Sequence, residues 1–201
     1  MKCRINGNIT PNISNNRIKD NMKKIIHESG HSVDVENIII PLYDYMMSLK
    51  FFGGCHALSS VLYVALCELE LHPELYIGEC QLKGEKPFDH SWISLEGKII
   101  DLAIYMPLNQ KINSISGPII FDVDAITSNK TKLEYGINTG LPMNDETQIV
   151  INTDFCDYMS GFPMEFGGLW SVLKKIMPQS YDFNLLALKK KYKGTTRQFV
   201  R

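Results

Sequence analysis

The stretch Asp89-His90-Ser91-Trp92-Ile93-Ser94-Leu95-Glu96-Gly97-Lys98-Ile99-Ile100-Asp101 reads as two short strands joined by a two-residue turn at Glu96-Gly97. If that turn closes Leu95 against Lys98, the register places Trp92 opposite Asp101 and His90 opposite Ala103. Cross-strand partners share a face of a sheet, as do residues two apart in one strand. His90, Trp92 and Asp101 therefore fall on one face, with His90 and Asp101 as diagonal neighbours. Such neighbours stand roughly 7 Å apart at the backbone, within reach of an imidazole and a carboxylate. A slip of one residue would put them on opposite faces. The other face, Ile93, Leu95, Ile100 and Leu102, is apolar, and Trp92 makes the first face partly apolar too. A sheet covered on both sides leaves His90 and Asp101 needing partners inside the protein. An ordinary surface hairpin, with an exposed histidine and a strand-end aspartate, is the plainer alternative.

Upstream, Phe52-Gly53-Gly54-Cys55 opens the best helical pattern of the chain. Leu58, Val61, Leu62, Ala65, Leu66 and Leu69 recur at helical spacing and form one apolar stripe. A cysteine at a helix N-terminus is favoured as thiolate, the nucleophilic form, by the helix dipole and the free N–H groups. Those N–H groups, including that of Cys55, are suited to an oxyanion hole, and Gly53 and Gly54 let a substrate approach the backbone. On its own Cys55 reads more readily as a small buried hydrophobe, as free cysteines usually are.

Taken together, the segments FGGCHALSSVLYVAL and DHSWISLEGKIID resemble the transglutaminase-like superfamily of papain-fold enzymes. The shared order is a cysteine at a helix start, His-x-Trp on a strand and an aspartate on the next strand. The resemblance spans Phe52 to Asp101, about 50 of the 201 residues. It implies an α+β fold in which a nucleophile-bearing helix packs on an antiparallel sheet. It also implies that Cys55 attacks a carbonyl, His90 activates the thiol and protonates the leaving group, and Asp101 holds His90 in its useful tautomer. The chemistry agrees, because a thiol near neutral pH needs a base and the base needs an orienting group. The implied protein is a cysteine hydrolase or acyltransferase acting on a peptide or protein amide through a thioester, without a cofactor. Gly53, Gly54 and Trp92 would lie near the substrate or the oxyanion. Relatives often carry an aromatic residue after the cysteine. This chain has His56, which leaves the second oxyanion donor unassigned. Adjacent helix positions point apart, so His56 is not expected to serve Cys55 as its base.

Two other functions compete. His27-Glu28-Ser29-Gly30-His31 spells HExxH, the helix of zinc metallopeptidases. However, Gly30 is placed to end the helix before His31, and Glu36 is an unconvincing third ligand. The preferred reading therefore has no metal. A non-catalytic binding module on the same scaffold is the other rival, and an unreactive Cys55 would mark it.

The bulk numbers set the frame. With 44% hydrophobic and 21% charged residues, the 201-residue chain is ordinary for one globular domain. Its core is expected at about 35–105, with a loose arm over 1–20 and an elaboration over 106–201 that shapes the substrate groove. A net charge of −1 gives no reason to expect nucleic acid. The run Lys189, Lys190, Lys191, Lys193 reads as a solvated helix end. No apolar run is long enough to span a membrane. The polar start MKCRINGNITPNISNN lacks a signal-peptide core. Cys3, Cys55, Cys67, Cys80 and Cys156 show neither zinc spacing nor an even disulfide count, so a reducing, cytoplasmic setting is expected. Oligomeric state is not legible.

Further expectations concern single elements. Helices are expected near Asn21–Ser29, 41–50 with Pro41 at the start, Gly168–Ile176 and Asn184–Tyr192. Strands are expected at Leu75–Leu82, His90–Leu95 and Lys98–Leu102. His72 reads as a loop residue, and Asp89 should point away from the His90 face. Cys67 and Cys80 are expected in the core. The segment GFPMEFGGLW reads as packing of a late helix, with a substrate groove as the alternative.

Overall fold

A computed structural model describes residues 14–108, 116–163 and 166–200. Helix α1 (Asn15–Glu28) begins at Ser14, whose hydroxyl accepts from the Arg17 N–H, and buries Ile18, Met22, Ile25 and Ile26. The part of the expected loose arm that is described is thus already helical; residues 1–13 lie outside the description. Helix α2 (Val33–Leu49) starts at the Ser32 cap, with Asp34 and Glu36 in its first turn. It runs through Pro41 rather than starting there. Proline removes one N–H from the ladder, but Val35, Ile38, Ile39, Leu42, Tyr43 and Met46 form an unbroken buried face. That face outweighs the lost bond.

Helix α3 (Cys55–Glu68) is buried on nearly every side between Cys55 and Leu66. Its polar members turn inward on the backbone: Ser59 donates to the Cys55 carbonyl at 2.6 Å and Ser60 to that of His56 at 2.7 Å. The strands β1 (Glu74–Leu82), β2 (Phe88–Leu95) and β3 (Lys98–Ile100) follow as an antiparallel meander. Glu96 and Gly97 both have positive φ, 54° and 75°, as a tight primed turn needs. Leu95 pairs with Lys98, Ser94 with Ile99 and Ile93 with Ile100, the register read from the turn. The strand stops two residues earlier than expected. Asp101 pairs with Ile119 instead, and Ala103–Tyr105 form a short 3₁₀ turn.

Beyond the turn come β4 (Ile119–Ile120), β5 (Val123–Asp124), β6 (Leu133–Ile137), α4 (Asp145–Asn152) and α5 (Phe155–Gly161). Helices α6 (Leu169–Ile176) and α7 (Leu185–Lys191) agree with the expected late helices to within their caps, and β7 (Gln198–Val200) is the last element. The five-stranded sheet runs β3-β2-β1, and the far edge of β1 is shared between two partners. Strand β6 takes Glu79 to Leu82 antiparallel, and β7 takes Tyr76 to Gly78 in parallel. The sheet is therefore not wholly antiparallel. One hydrophobic cluster reaching from Ile18 to Tyr192 packs on the face carrying Leu75, Ile93 and Leu95. A smaller one, with Ile104, Ile119, Leu133, Phe88 and Tyr135, covers the face carrying His90. The class is α+β, with both faces of the sheet covered. Among the described residues no helix is long and apolar enough to cross a membrane.

Candidate active site

Asp101 is where the hairpin leaves the sheet. Its N–H and C=O exchange bonds with Ile119, both at 2.8 Å, which locks its backbone just past β3. Its carboxylate is 3% exposed and fully engaged. Oδ2 lies 2.7 Å from His90 Nε2 and accepts the Tyr135 hydroxyl at 2.9 Å, while Oδ1 accepts the Ile104 N–H at 3.2 Å. His90 is 5% exposed, so its imidazole is held by a charged, directional bond inside the protein. With Nε2 committed to Asp101, Nδ1 is the ring nitrogen that remains for the sulfur of Cys55, whose charge and that of His90 favour each other.

Cys55 opens α3 after Gly54, and no side chain caps the helix. The N–H groups of its first turn therefore have no acceptor within the helix. Gly53 adopts a positive φ of 69°, and a Cβ there would meet Leu108 at 2.9 Å; its own N–H bonds the Met106 carbonyl at 2.9 Å. These contacts hold the loop before Cys55 against the end of the 3₁₀ turn.

The electrostatics follow from the geometry. Burial opposes ionisation of the Cys55 thiol, but the imidazoles of His56 and His90 outweigh it and hold the thiol well below its ordinary value. Burial likewise opposes charge on His90, yet Asp101 and the Cys55 thiolate raise it to about 10. Burial, followed by the Asp101 charge, raises the Tyr135 hydroxyl well above its ordinary range, so it stays a donor.

His56 departs from the sequence reading. Its Nδ1 is 2.7 Å from Ser91 Oγ and its Nε2 is 3.3 Å from Thr147 Oγ1, and it is among the groups that lower the Cys55 thiol. Helix directions separate neighbouring Cβ atoms, but an imidazole drawn between β2 and α4 still acts electrostatically on a first-turn thiol.

These residues open on a cleft of about 410 Å³. Gly53, Cys55, His56, His90, Asn144 and Thr147 are among the residues that line it. The Asn144 N–H donates to Asp89 Oδ2 at 2.6 Å, tying the α4 cap to β2. Trp92 does not line this cleft. It stacks on Tyr76 at 5.6 Å and tilts against Tyr135 at 5.1 Å, so its place is packing on the His90 face. Asp89 alternates with His90 as expected, yet its side chain lines the same cleft.

The other expected sites are not assembled. Helix α1 ends at Glu28 and Gly30 has a φ of 80°, so His31 lies outside the helix that HExxH requires. His27 contacts Glu36 at 3.1 Å, whereas His31 stacks on Phe121 at 4.3 Å. Among the described residues no three His, Cys, Asp or Glu side chains converge as metal ligands would. In GFPMEFGGLW, residues 164 and 165 lie outside the description, and Trp170 is core, its Nε1 donating to Ser160 at 3.1 Å. Cys80 is fully buried but Cys67 only half, and the four described cysteines are free thiols. Cys3 lies outside the description.

Tyr135, Ser91 and Thr147 went unnoticed in the sequence. Tyr135 lies 34 residues from Asp101 and Thr147 lies 91 from His56, with no spacing signal to connect them. No family model, curated protein or solved structure matches the chain.

Proposed function

We propose that the chain is a cysteine-dependent hydrolase or acyltransferase with the papain-like, transglutaminase-like arrangement of Cys55, His90 and Asp101. The observation that carries this is the buried 2.7 Å His90–Asp101 bond beside a thiol at a helix N-terminus in an open cleft. A structural cysteine needs neither an oriented imidazole nor access to a cleft.

In the proposed reaction the Cys55 thiolate adds to an amide carbonyl carbon, and the oxygen takes the negative charge. The N–H groups of the first turn of α3 stabilise that charge. Protonated His90 gives its proton to the departing amine nitrogen as the C–N bond breaks, leaving a thioester and a neutral ring. Water or a second amine then adds to the thioester, giving its proton to His90. The C–S bond breaks, and the thiolate–imidazolium pair is restored. Asp101 keeps its bond to Nε2 throughout and so leaves Nδ1 facing the sulfur.

The test is iodoacetamide labelling against pH, mapped by mass spectrometry, in wild type and His90→Ala. Labelling of Cys55 should remain fast at pH 6 and slow by ~10-fold or more in the variant, because the thiolate loses a charged partner. Labelling of wild-type Cys55 no faster than the other cysteines would sink the proposal and leave a binding module as the reading of this fold.

A further inference from the structure

Arg197 stands one residue before β7, and its guanidinium touches three helices. Nη2 donates to the Ser60 hydroxyl of α3 at 3.4 Å, and Nη1 donates to the Val150 carbonyl of α4 at 3.2 Å. Its central carbon lies 4.7 Å from the ring centre of Tyr158 and 5.3 Å from that of Phe155, both on α5. Nε is buried and finds no acceptor among the described residues. A half-buried charge set among a carbonyl, a hydroxyl and two rings is costly to hold, and apolar packing would join three helices without it. What a guanidinium adds is a rigid fork that fixes two acceptors at one spacing.

Both prongs lead to one residue. Ser60 is fully buried and donates in turn to the His56 carbonyl at 2.7 Å. Val150 is one turn beyond Thr147 on α4, and Thr147 Oγ1 lies 3.3 Å from His56 Nε2. Backbone and ring of His56 are thus tied to the same cation, the first through α3 and the second through α4. Helix α4 depends on such ties, because Thr147 and Val150 are its only buried residues. The anchor itself is fixed: the residues that follow Arg197 pair with β1 as Tyr76–Gln198, Ile77–Phe199 and Gly78–Val200. Gly78 makes room for that strand, since a Cβ there would collide with the Val200 carbonyl oxygen. Resting on the cysteine-enzyme reading, we infer that Arg197 is a positioning residue of the site, holding α3 and α4 at the spacing that keeps the His56 ring where it acts on Cys55. Both residues line the cleft. Without the fork α4 shifts, Thr147 no longer seats the ring, and the thiolate loses part of its support.

The test is a double-mutant cycle on the full chain, read as the second-order rate of iodoacetamide labelling of Cys55 at pH 6. Arg197→Ala should slow labelling by about three-fold or more in the wild-type background, and by less than about two-fold in a His56→Phe background. A general loosening of the fold would slow both backgrounds alike, so equal losses would overturn the inference. No loss from Arg197→Ala, or none from His56→Phe, would overturn it too. Arg197→Lys keeps the charge without the fork and should stay slower than wild type; a wild-type rate would remove the role of the fork. If Arg197→Ala does not fold, Ser60→Ala interrupts one prong and goes through the same cycle with the same outcomes. A wild-type Cys55 that labels no faster than the other cysteines removes the catalytic reading. The cycle is a ratio of rates and still decides whether Arg197 acts through His56.

Discussion

Two imidazoles flank Cys55, one from the sheet and one from the helix, and their supports differ in kind. His90 stands on β2 and leans on a buried carboxylate that also accepts from Tyr135 and Ile104. His56 stands on α3 and lies between two hydroxyls, Ser91 and Thr147. A carboxylate favours the protonated ring and fixes which nitrogen faces the sulfur. A hydroxyl accepts or donates as required and imposes neither. The two are therefore not equivalent: the bond to Asp101 singles out His90 as the group that would carry the proton in the proposed reaction.

The sharpest way to break that comparison is Asp101→Asn, which keeps the size and removes the charge. Amide turnover should fall by ~10³-fold or more, as when a triad loses its orienting acid. The alkaline limb of the turnover profile should also move to lower pH. Asp101 raises His90 toward about 10, so without that charge the ring gives up its proton sooner. An unchanged limb would mean that Asp101 acts only as a spacer. His56→Phe puts an aromatic ring without a titratable nitrogen after Cys55 and should have an intermediate effect. Labelling of Cys55 at pH 6 should slow because the thiol loses one of the two rings that lower it, while turnover falls by ~10-fold, well short of Asp101→Asn. A loss as large as that of Asp101→Asn would make the rings partners rather than unequals. Tyr135→Phe should be the mildest, costing about two- to five-fold in turnover, because Asp101 keeps its bonds to His90 and Ile104. Its position in the order is read from kcat with Cys55 labelling unchanged.

What the sequence disclosed depended on whether the signal was local. The hairpin register follows from one turn, and Gly97 together with the alternation of Ile93 and Leu95 was enough to place His90 beside Asp101. Even there the strand was read too long, because the partner that draws Asp101 away, Ile119, lies outside the hairpin. Pro41 was read as a helix start because the rule for proline is local, whereas the buried face that carries α2 through it spans Val35 to Met46. HExxH shows the opposite failure: a contiguous motif undone by the left-handed Gly30. The partners that reach the site from later in the chain were illegible throughout. Thr147, Asn144 and Tyr135 come from the Asn-, Thr- and Gly-rich stretch, where no periodicity marks an element, and tertiary contacts alone bring them to the site.

The shared edge of β1 also bears on biosynthesis. Residues Tyr76 to Gly78 gain their parallel partner only from Gln198 to Val200, roughly 120 residues later, a separation that slows pairing. A nascent chain emerging from the ribosome as far as Asp101 already holds Cys55, His90 and Asp101. Yet it carries a bare strand edge beside them, the kind of surface that recruits other chains. Until β7 is made and docks, the chain is most exposed to aggregation along the same strand that carries the buried Glu79.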